Sequence, residues 1–498
     1  MNHADTVPGQ FRKVVSEHPD CPALIEEETQ YSYRDLAAMV SAYAGLFGER
    51  LGLSPGQVLI AWLNNGPEFV ASFLAAAEIG AVLFPLNIHW RPAELCWFLD
   101  RLPVAGVATK LALRDPWDAL ADRISPASVV AVDDPSIRSR LLPASRTASL
   151  SPNTPRISPD RPVVYLSSSG STGVPKIVPR SHRNTVEGVA GTAHALGITA
   201  GLRFLSAVPF YHGNGLDNSL SLPLFTGGTA VLQSHFVPSR FAAALTVRRI
   251  QVLVGSPAIF ELLVRSEVDA ACLAALRICA SSGGPIASQT AAAIQQRFGV
   301  VVRQVYGSSE TGVIAVDPPA GGPPSVPLPT VSLRILDAAG RCLPTAEPGE
   351  IAVNSPAMVS GYVGQPEMTA TVFRDGYFHT GDLGRLDSAR RLTLLGRIRP
   401  VINISGTNVD PAEIEKVLMA LPAVSACRVL PAQGPHHNQV IKAVIAVREN
   451  ASLGRADVIG HCRHSLAEYK IPRIVELVTA LPPDMIGKRA VPWLRSRD

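Results

Sequence analysis

Short apolar runs of strand length recur through the first three hundred residues, separated by stretches whose apolar residues repeat at helical spacing. The runs include "VLIAWL" (58–63), "AVLFPL" (81–86), "GVAT" (106–109), "VVYL" (163–166), "TAVLQ" (229–233), "VLVGS" (252–256), "LRICASS" (276–282) and "VVRQVYG" (301–307). Residues 31–47 and 67–79 carry the 3.6-residue period between them. A strand that is apolar at successive positions has to be covered on both faces, which helices do when they connect parallel strands. This alternation predicts an α/β fold of layered, mostly parallel sheets. At 498 residues the chain is too long for one ordinary core, so two or more domains are expected.

The pattern changes at "PPAGGPPSVPLPT" (318–330), the strongest cluster of helix and strand breakers in the chain. Beyond it "VSLRILD", "GEIAVNS" and "LTLLGR" suggest a small barrel-like or antiparallel subdomain. From about residue 401, "AEIEKVLMAL", "SACRVLPA" and "VIKAVIAV" return to a compact strand and helix pattern, which fits a separate α+β domain.

A net charge of +4, with no long block of like charge, speaks against nucleic acid as a partner. The most membrane-like run, "FVASFLAAAEIGAVLFPL" (69–86), is broken by Glu78, Gly80 and Pro85 and reads as a buried helix entering a strand, not a membrane span. Seven scattered cysteines with no CxxC fit reduced thiols in a cytoplasmic protein, and no signal peptide is expected at the N-terminus.

Four stretches carry candidate chemistry. "YLSSSGSTGVPKIVPRSH" (165–182) gathers small hydroxylic residues and glycines after a strand, with backbone N–H groups able to wrap a polyphosphate and Lys176 to add a charge. It lacks Walker A spacing, since Pro175 stands where the second glycine belongs. "RQVYGSSETG" (303–312) sets Glu310, a hard oxygen ligand, beside a tyrosine and two serines. "GYFHTGDLGRLD" (376–387) and the following "LTLLGRIRP" offer Asp382 and Arg397 to a sugar. "LPPDMIGKRA" (481–490) ends in Lys488. Taken singly, each is as easily a flexible loop, a turn or a solvated side chain.

In this order and spacing the four resemble the acyl-adenylate-forming superfamily: acyl-CoA synthetases, adenylation domains of peptide synthetases, and luciferases. "SSGSTGVPK" matches the family's phosphate loop almost position for position, and "YGSSE", "YFHTGDLG", "GRIR…ISG…V.PAEIE" and "GK" follow as its later motifs. The likeness runs from about residue 25 to the end of the chain.

The resemblance implies an N-terminal adenylate-forming domain (1–396), a hinge (397–400) and a smaller mobile α+β domain (401–498). It implies a triphosphate loop of Ser168, Ser169, Gly170, Ser171, Thr172, Gly173 and Lys176. Gly283 and Gly284 would border adenine, Tyr306 would stack on the base, and Ser309 would meet the α-phosphate with the hydroxyl that a threonine usually supplies. Glu310 would hold Mg²⁺, Asp382 and Arg397 the ribose, and Lys488 would bridge carboxylate and α-phosphate. His212 would gate the acyl pocket, and Gly406 would border a channel for the incoming thiol after the smaller domain turns about Arg399.

The implied activity is ATP- and Mg²⁺-dependent conversion of a carboxylic acid to its acyl-AMP, followed by transfer to CoA. The alternatives are an adenylation-only enzyme serving a carrier protein or partner enzyme, and a nucleotide-binding pseudoenzyme. Retention of Lys176, Glu310, Asp382, Arg397 and Lys488 together argues against the last. Three positions depart from the family pattern: Pro400 after the hinge residue, Ile486 before the lysine motif and Val491 beyond it. Asp217 lies five residues after His212, where it gives no support to amino-acid activation. "HCRH" (461–464) is expected to be surface or packing.

Overall fold

The computed structural model describes residues 5–137, 157–168, 175–234, 237–398, 401–404, 407–434 and 439–481. Two large sheets form the frame of the N-terminal part. One has six strands in the order Val129–Ala131, Val104–Thr109, Val58–Trp62, Val82–Pro85, Pro162–Ser168, Lys176–Ser181. Every neighbouring pair in it is parallel except the last, which is antiparallel. The other has nine strands, parallel through its centre from Pro22–Glu26 to Val302–Ser308 and antiparallel at both edges. The apolar runs read from the sequence become these central strands. Val58–Trp62, for one, is buried at every residue, as a strand covered on both faces must be.

Helix Pro67–Ile79 shows how one segment reaches its place. Proline at its first position suits a site with no intrahelical N–H acceptor, and Gly80 ends it at φ +81°. Ten of its thirteen residues are buried, so it is enclosed on all sides and its uniform hydrophobicity reflects a core position. The strand Val82–Pro85 follows directly. No helix among the described residues is long and apolar enough to cross a membrane.

A five-stranded antiparallel sheet follows the breaker cluster, with Tyr377–Leu386 paired to Gly349–Asn354 on one side and to Leu392–Arg397 on the other. The C-terminal part has a hairpin, Ile402–Ile404 with Thr407–Val409, and a three-stranded sheet of Val424–Gln433, Gln439–Val447 and Ile474–Val478. Helices Pro411–Met419 and Arg455–Ser465 complete it. Its buried residues, among them Ile414, Leu418, Val429, Ala443 and Val458, form a core cluster of their own. A core of its own is what a separate domain requires.

Candidate functional site

The two large sheets deliver their functional segments from the carboxyl ends of parallel strands, the end at which open α/β sheets bind ligands. Pro162–Ser168 leads into the phosphate-loop motif, Ile278–Ser281 into Gly283 and Gly284, and Val302–Ser308 into Ser309 and Glu310.

The phosphate-loop motif connects the two arms of an antiparallel hairpin, with Ser168 opposite Lys176. This accounts for its departure from Walker A spacing, in which the loop opens directly into a helix. Here the lysine heads a returning strand and is placed by the strand register. Ser169, Gly170, Ser171, Thr172 and Gly173 lie outside the described residues, as does the side chain of Ser168. Lys176 Nζ lies 3.4 Å from the Tyr362 hydroxyl and 4.9 Å from the centroid of its ring. Burial pulls the pKa of Lys176 below the ordinary lysine value, opposed by the charge of Glu310.

Tyr362 also donates to Glu310 Oε1 at 2.9 Å, so one phenol joins the lysine of the phosphate hairpin to the carboxylate expected to hold metal. Glu310 is buried in the short turn between Val302–Ser308 and Gly312–Val316, and its carbonyl accepts from Val359 N–H at 2.8 Å. A buried, hydrogen-bonded carboxylate is a hard oxygen donor of the kind Mg²⁺ takes. Tyr362 is missing from the sequence reading. Its only local mark is "SGYVGQP" (360–366), an aromatic residue between two glycines, Gly361 at φ +155° and Gly364 at φ +67°.

Asp382 and Arg397 face each other across the antiparallel pair Tyr377–Leu386 and Leu392–Arg397. Arg397 Nε lies 2.6 Å from Asp382 Oδ1, and Tyr306 donates its hydroxyl to Asp382 Oδ2 at 2.8 Å. Arg397 Nη2 also donates to the Thr380 carbonyl at 3.3 Å. Burial raises the pKa of Asp382, with Arg397 and Tyr306 opposing. Sheet register therefore brings together three residues expected around the nucleoside, although Tyr306 comes from a different sheet.

The 281–284 loop is held by Gln304, whose Nε2 donates to the carbonyls of Ser281 at 3.1 Å and Gly284 at 3.0 Å. Gln304 is another residue that the sequence did not single out. Gly283 has φ +84°, a conformation strained for residues with a side chain, and its carbonyl accepts from Asn403 Nδ2 of the C-terminal hairpin at 2.8 Å.

His212 is half-buried, its ring centroid 4.6 Å from that of Tyr211, and desolvation lowers its pKa to about 4. Its Nε2 lies 3.1 Å from Thr407 Oγ1 of the same hairpin. Close by, a Cβ added at Gly213 would stand 3.2 Å from Ser309 Oγ, which puts Ser309 against the segment that carries His212. Asp217 pairs with the buried Arg180 at 3.1 Å, a structural partner that accounts for its charge.

His461 and His464 bond to the carbonyls of Val417 and Gly460, so both imidazoles of "HCRH" have structural partners. Arg399, Pro400, Gly406, Ile486, Lys488 and Val491 lie outside the described residues.

The family model of AMP-binding enzymes matches residues 11–363, and that of the AMP-binding enzyme C-terminal domain matches 413–488. The sulfoacetate–CoA ligase of Cupriavidus necator is 30% identical over 503 residues, covering 97% of this chain and 96% of its own. The feruloyl-CoA synthase of an Amycolatopsis species is 28% identical over 486 residues, covering 94% of each. Among solved structures, the amide bond synthetase McbA of Marinactinospora thermotolerans superposes with a TM-score of 0.84 at 26% identity, covering 95% of this chain and 96% of that one. A match over most of the chain makes this chain a member of the AMP-binding enzyme family.

Proposed function

We propose that the protein is an AMP-forming ligase that activates a small carboxylic acid with ATP and transfers the acyl group to CoA. The observation that carries this reading is the pair of clusters Lys176–Tyr362–Glu310 and Tyr306–Asp382–Arg397, suited respectively to the phosphates and metal and to the nucleoside of a bound nucleotide. Asp382 offers acceptor oxygens to ribose hydroxyls, Arg397 holds that carboxylate in place, and Tyr306 forms the wall against the base. Lys176 and the hydroxyls of its loop bind the β- and γ-phosphates. Glu310 would hold Mg²⁺, which when bound screens the charge of the departing pyrophosphate.

Lys488 steadies the substrate carboxylate against an anionic triphosphate. The carboxylate oxygen attacks the α-phosphorus, the bond to the β-phosphate oxygen breaks, and pyrophosphate leaves. Ser309 donates to the α-phosphate as its charge develops. In the second step the CoA thiol adds to the acyl carbonyl and AMP departs. With its pKa near 4, His212 is neutral at pH 7, so its place beside Thr407 suits a hydrogen-bonding gate and not a fixed cation.

A second reading is aminolysis of the acyl-AMP, favoured by the likeness to an amide bond synthetase. Pyrophosphate release across a panel of aryl, aliphatic and sulfonated acids tests the first step. The same panel with CoA, with an amine, or with neither separates the acceptors. No pyrophosphate with any acid would reject the assignment.

A further inference from the structure

Lys470, one of seven lysines in the chain, is buried between the two domains. Its Nζ lies 2.7 Å from Glu413 Oε1 of its own domain and 2.7 Å from Glu94 Oε1 of the N-terminal domain. Glu94 stands on helix Pro92–Leu99, which packs on the six-stranded sheet through Leu95 and Phe98. Next to it, Trp90 Nε1 donates to the Tyr469 hydroxyl at 3.3 Å. Two polar links thus join adjacent residues of one domain to one short segment of the other.

A cavity of about 390 Å³ adjoins this joint, lined by Trp97, Lys416 and His461 among others. A buried ion pair adds little net stability compared with an apolar contact, because desolvation offsets its attraction, but it tolerates only a narrow range of geometries. Such a link suits a surface that must dock in one orientation and still separate. In the docked orientation the Ile402–Val409 hairpin presents Asn403 to Gly283 and Thr407 to His212, at the edge of the nucleotide and acyl sites.

We propose that Lys470, through its interdomain bond to Glu94, is a positioning residue for the acyl-transfer step: it clasps the C-terminal domain in the orientation that brings the 402–409 hairpin to His212. Glu413 keeps Lys470 paired within its own domain when the clasp opens, so the lysine is never left as an unpaired buried charge. The clasp does not touch the reacting atoms and therefore leaves acyl-AMP formation largely alone. The proposal rests on the two-step reading above.

The informative variant is Glu94→Gln, because Lys470 retains Glu413 and the C-terminal core is undisturbed. Transfer from isolated acyl-AMP at saturating CoA is expected to fall about tenfold or more, as the docked population shrinks, while pyrophosphate release changes by less than about twofold. Lys470→Arg should keep most of the transfer rate, and Glu94→Gln with Lys470→Met should be scarcely worse than Glu94→Gln alone. Hydrogen exchange gives a readout independent of activity. Amides in 92–99 and 466–471 should exchange faster in Glu94→Gln, with the Val424–Gln433 and Gln439–Val447 strands still protected. Unchanged exchange at the joint, equal loss in both half-reactions, or full transfer despite an opened joint would each overturn the proposal. If the wild type forms no thioester yet the joint opens on schedule, the two-step reading fails and the positioning role fails with it, leaving only a domain lock.

Discussion

Tyr362 donates its phenolic proton to Glu310 Oε1 at 2.9 Å while Lys176 Nζ lies 3.4 Å from the phenolic oxygen. The three residues come from distant parts of the chain, and the phenol bridges a cation and a carboxylate. Tyr362→Phe should retain its packing on Phe373, whose ring centroid is 5.7 Å away, so unfolding temperature should shift little. Acyl-AMP formation should fall about tenfold, the scale of one or two lost polar contacts at a charged site, with a changed Mg²⁺ requirement. Steady-state pyrophosphate release titrated with Mg²⁺ checks both. An unaltered metal curve would separate Tyr362 from Glu310 in function.

Asp382→Asn keeps the side-chain shape but removes the charge that orients Arg397. The KM for ATP should rise by roughly tenfold to a hundredfold, as expected for a charged hydrogen-bond acceptor, with a smaller effect on kcat. Comparison of ATP with 3′-deoxy-ATP gives the sharper measurement. The wild type should discriminate between them and the variant should not. Equal discrimination in both proteins would remove Asp382 from the ribose.

Lys488→Ala should reduce acyl-AMP formation by about two to three orders of magnitude, comparable to losing an oxyanion donor. The same variant should still convert supplied acyl-AMP and CoA to thioester. Single-turnover assays of the two halves distinguish these outcomes, and full pyrophosphate release would assign the role to another residue.

His182 ties helix Val7–Glu17 to the body of the domain by accepting from Val7 N–H at 3.3 Å through Nδ1, while its Nε2 has no hydrogen-bond partner among the described residues. Burial lowers its pKa to about 4 from an ordinary value of 6.5. Because the unfolded chain takes up the proton first, stability is complete above about pH 6.5 and declines as pH falls towards 4, by up to about 3 kcal/mol. His182→Gln retains an acceptor for Val7 but cannot become charged. Its unfolding temperature should therefore fall less steeply than the wild type's between pH 6.5 and 4.5. Parallel slopes would show that another group dominates the acid limb.

The α/β architecture was legible because central strands must be apolar on both faces, and that requirement is local. The run 67–86 came out as helix Pro67–Ile79 followed by strand Val82–Pro85, since a proline start, a glycine stop and continuous hydrophobicity leave few alternatives. Glu310, Asp382 and Arg397 stood out for a different reason: they sit in short motifs whose order along the chain resembles that of a known family. Tyr362, Gln304 and the Lys470 clasp did not. Each takes its role from a partner far away in sequence, 52 residues in the case of Tyr362 and Glu310 and 376 in the case of Lys470 and Glu94. The sequence thus determined which segments become strands and, through its family motifs, what kind of reaction the chain serves. Only the tertiary structure decided that Lys176 lies opposite Ser168 across an antiparallel pair, that a tyrosine bridges Lys176 and Glu310, and that one buried lysine joins the domains. Those facts depend on register and docking, where the deciding contacts lie between segments that have no local pattern in common.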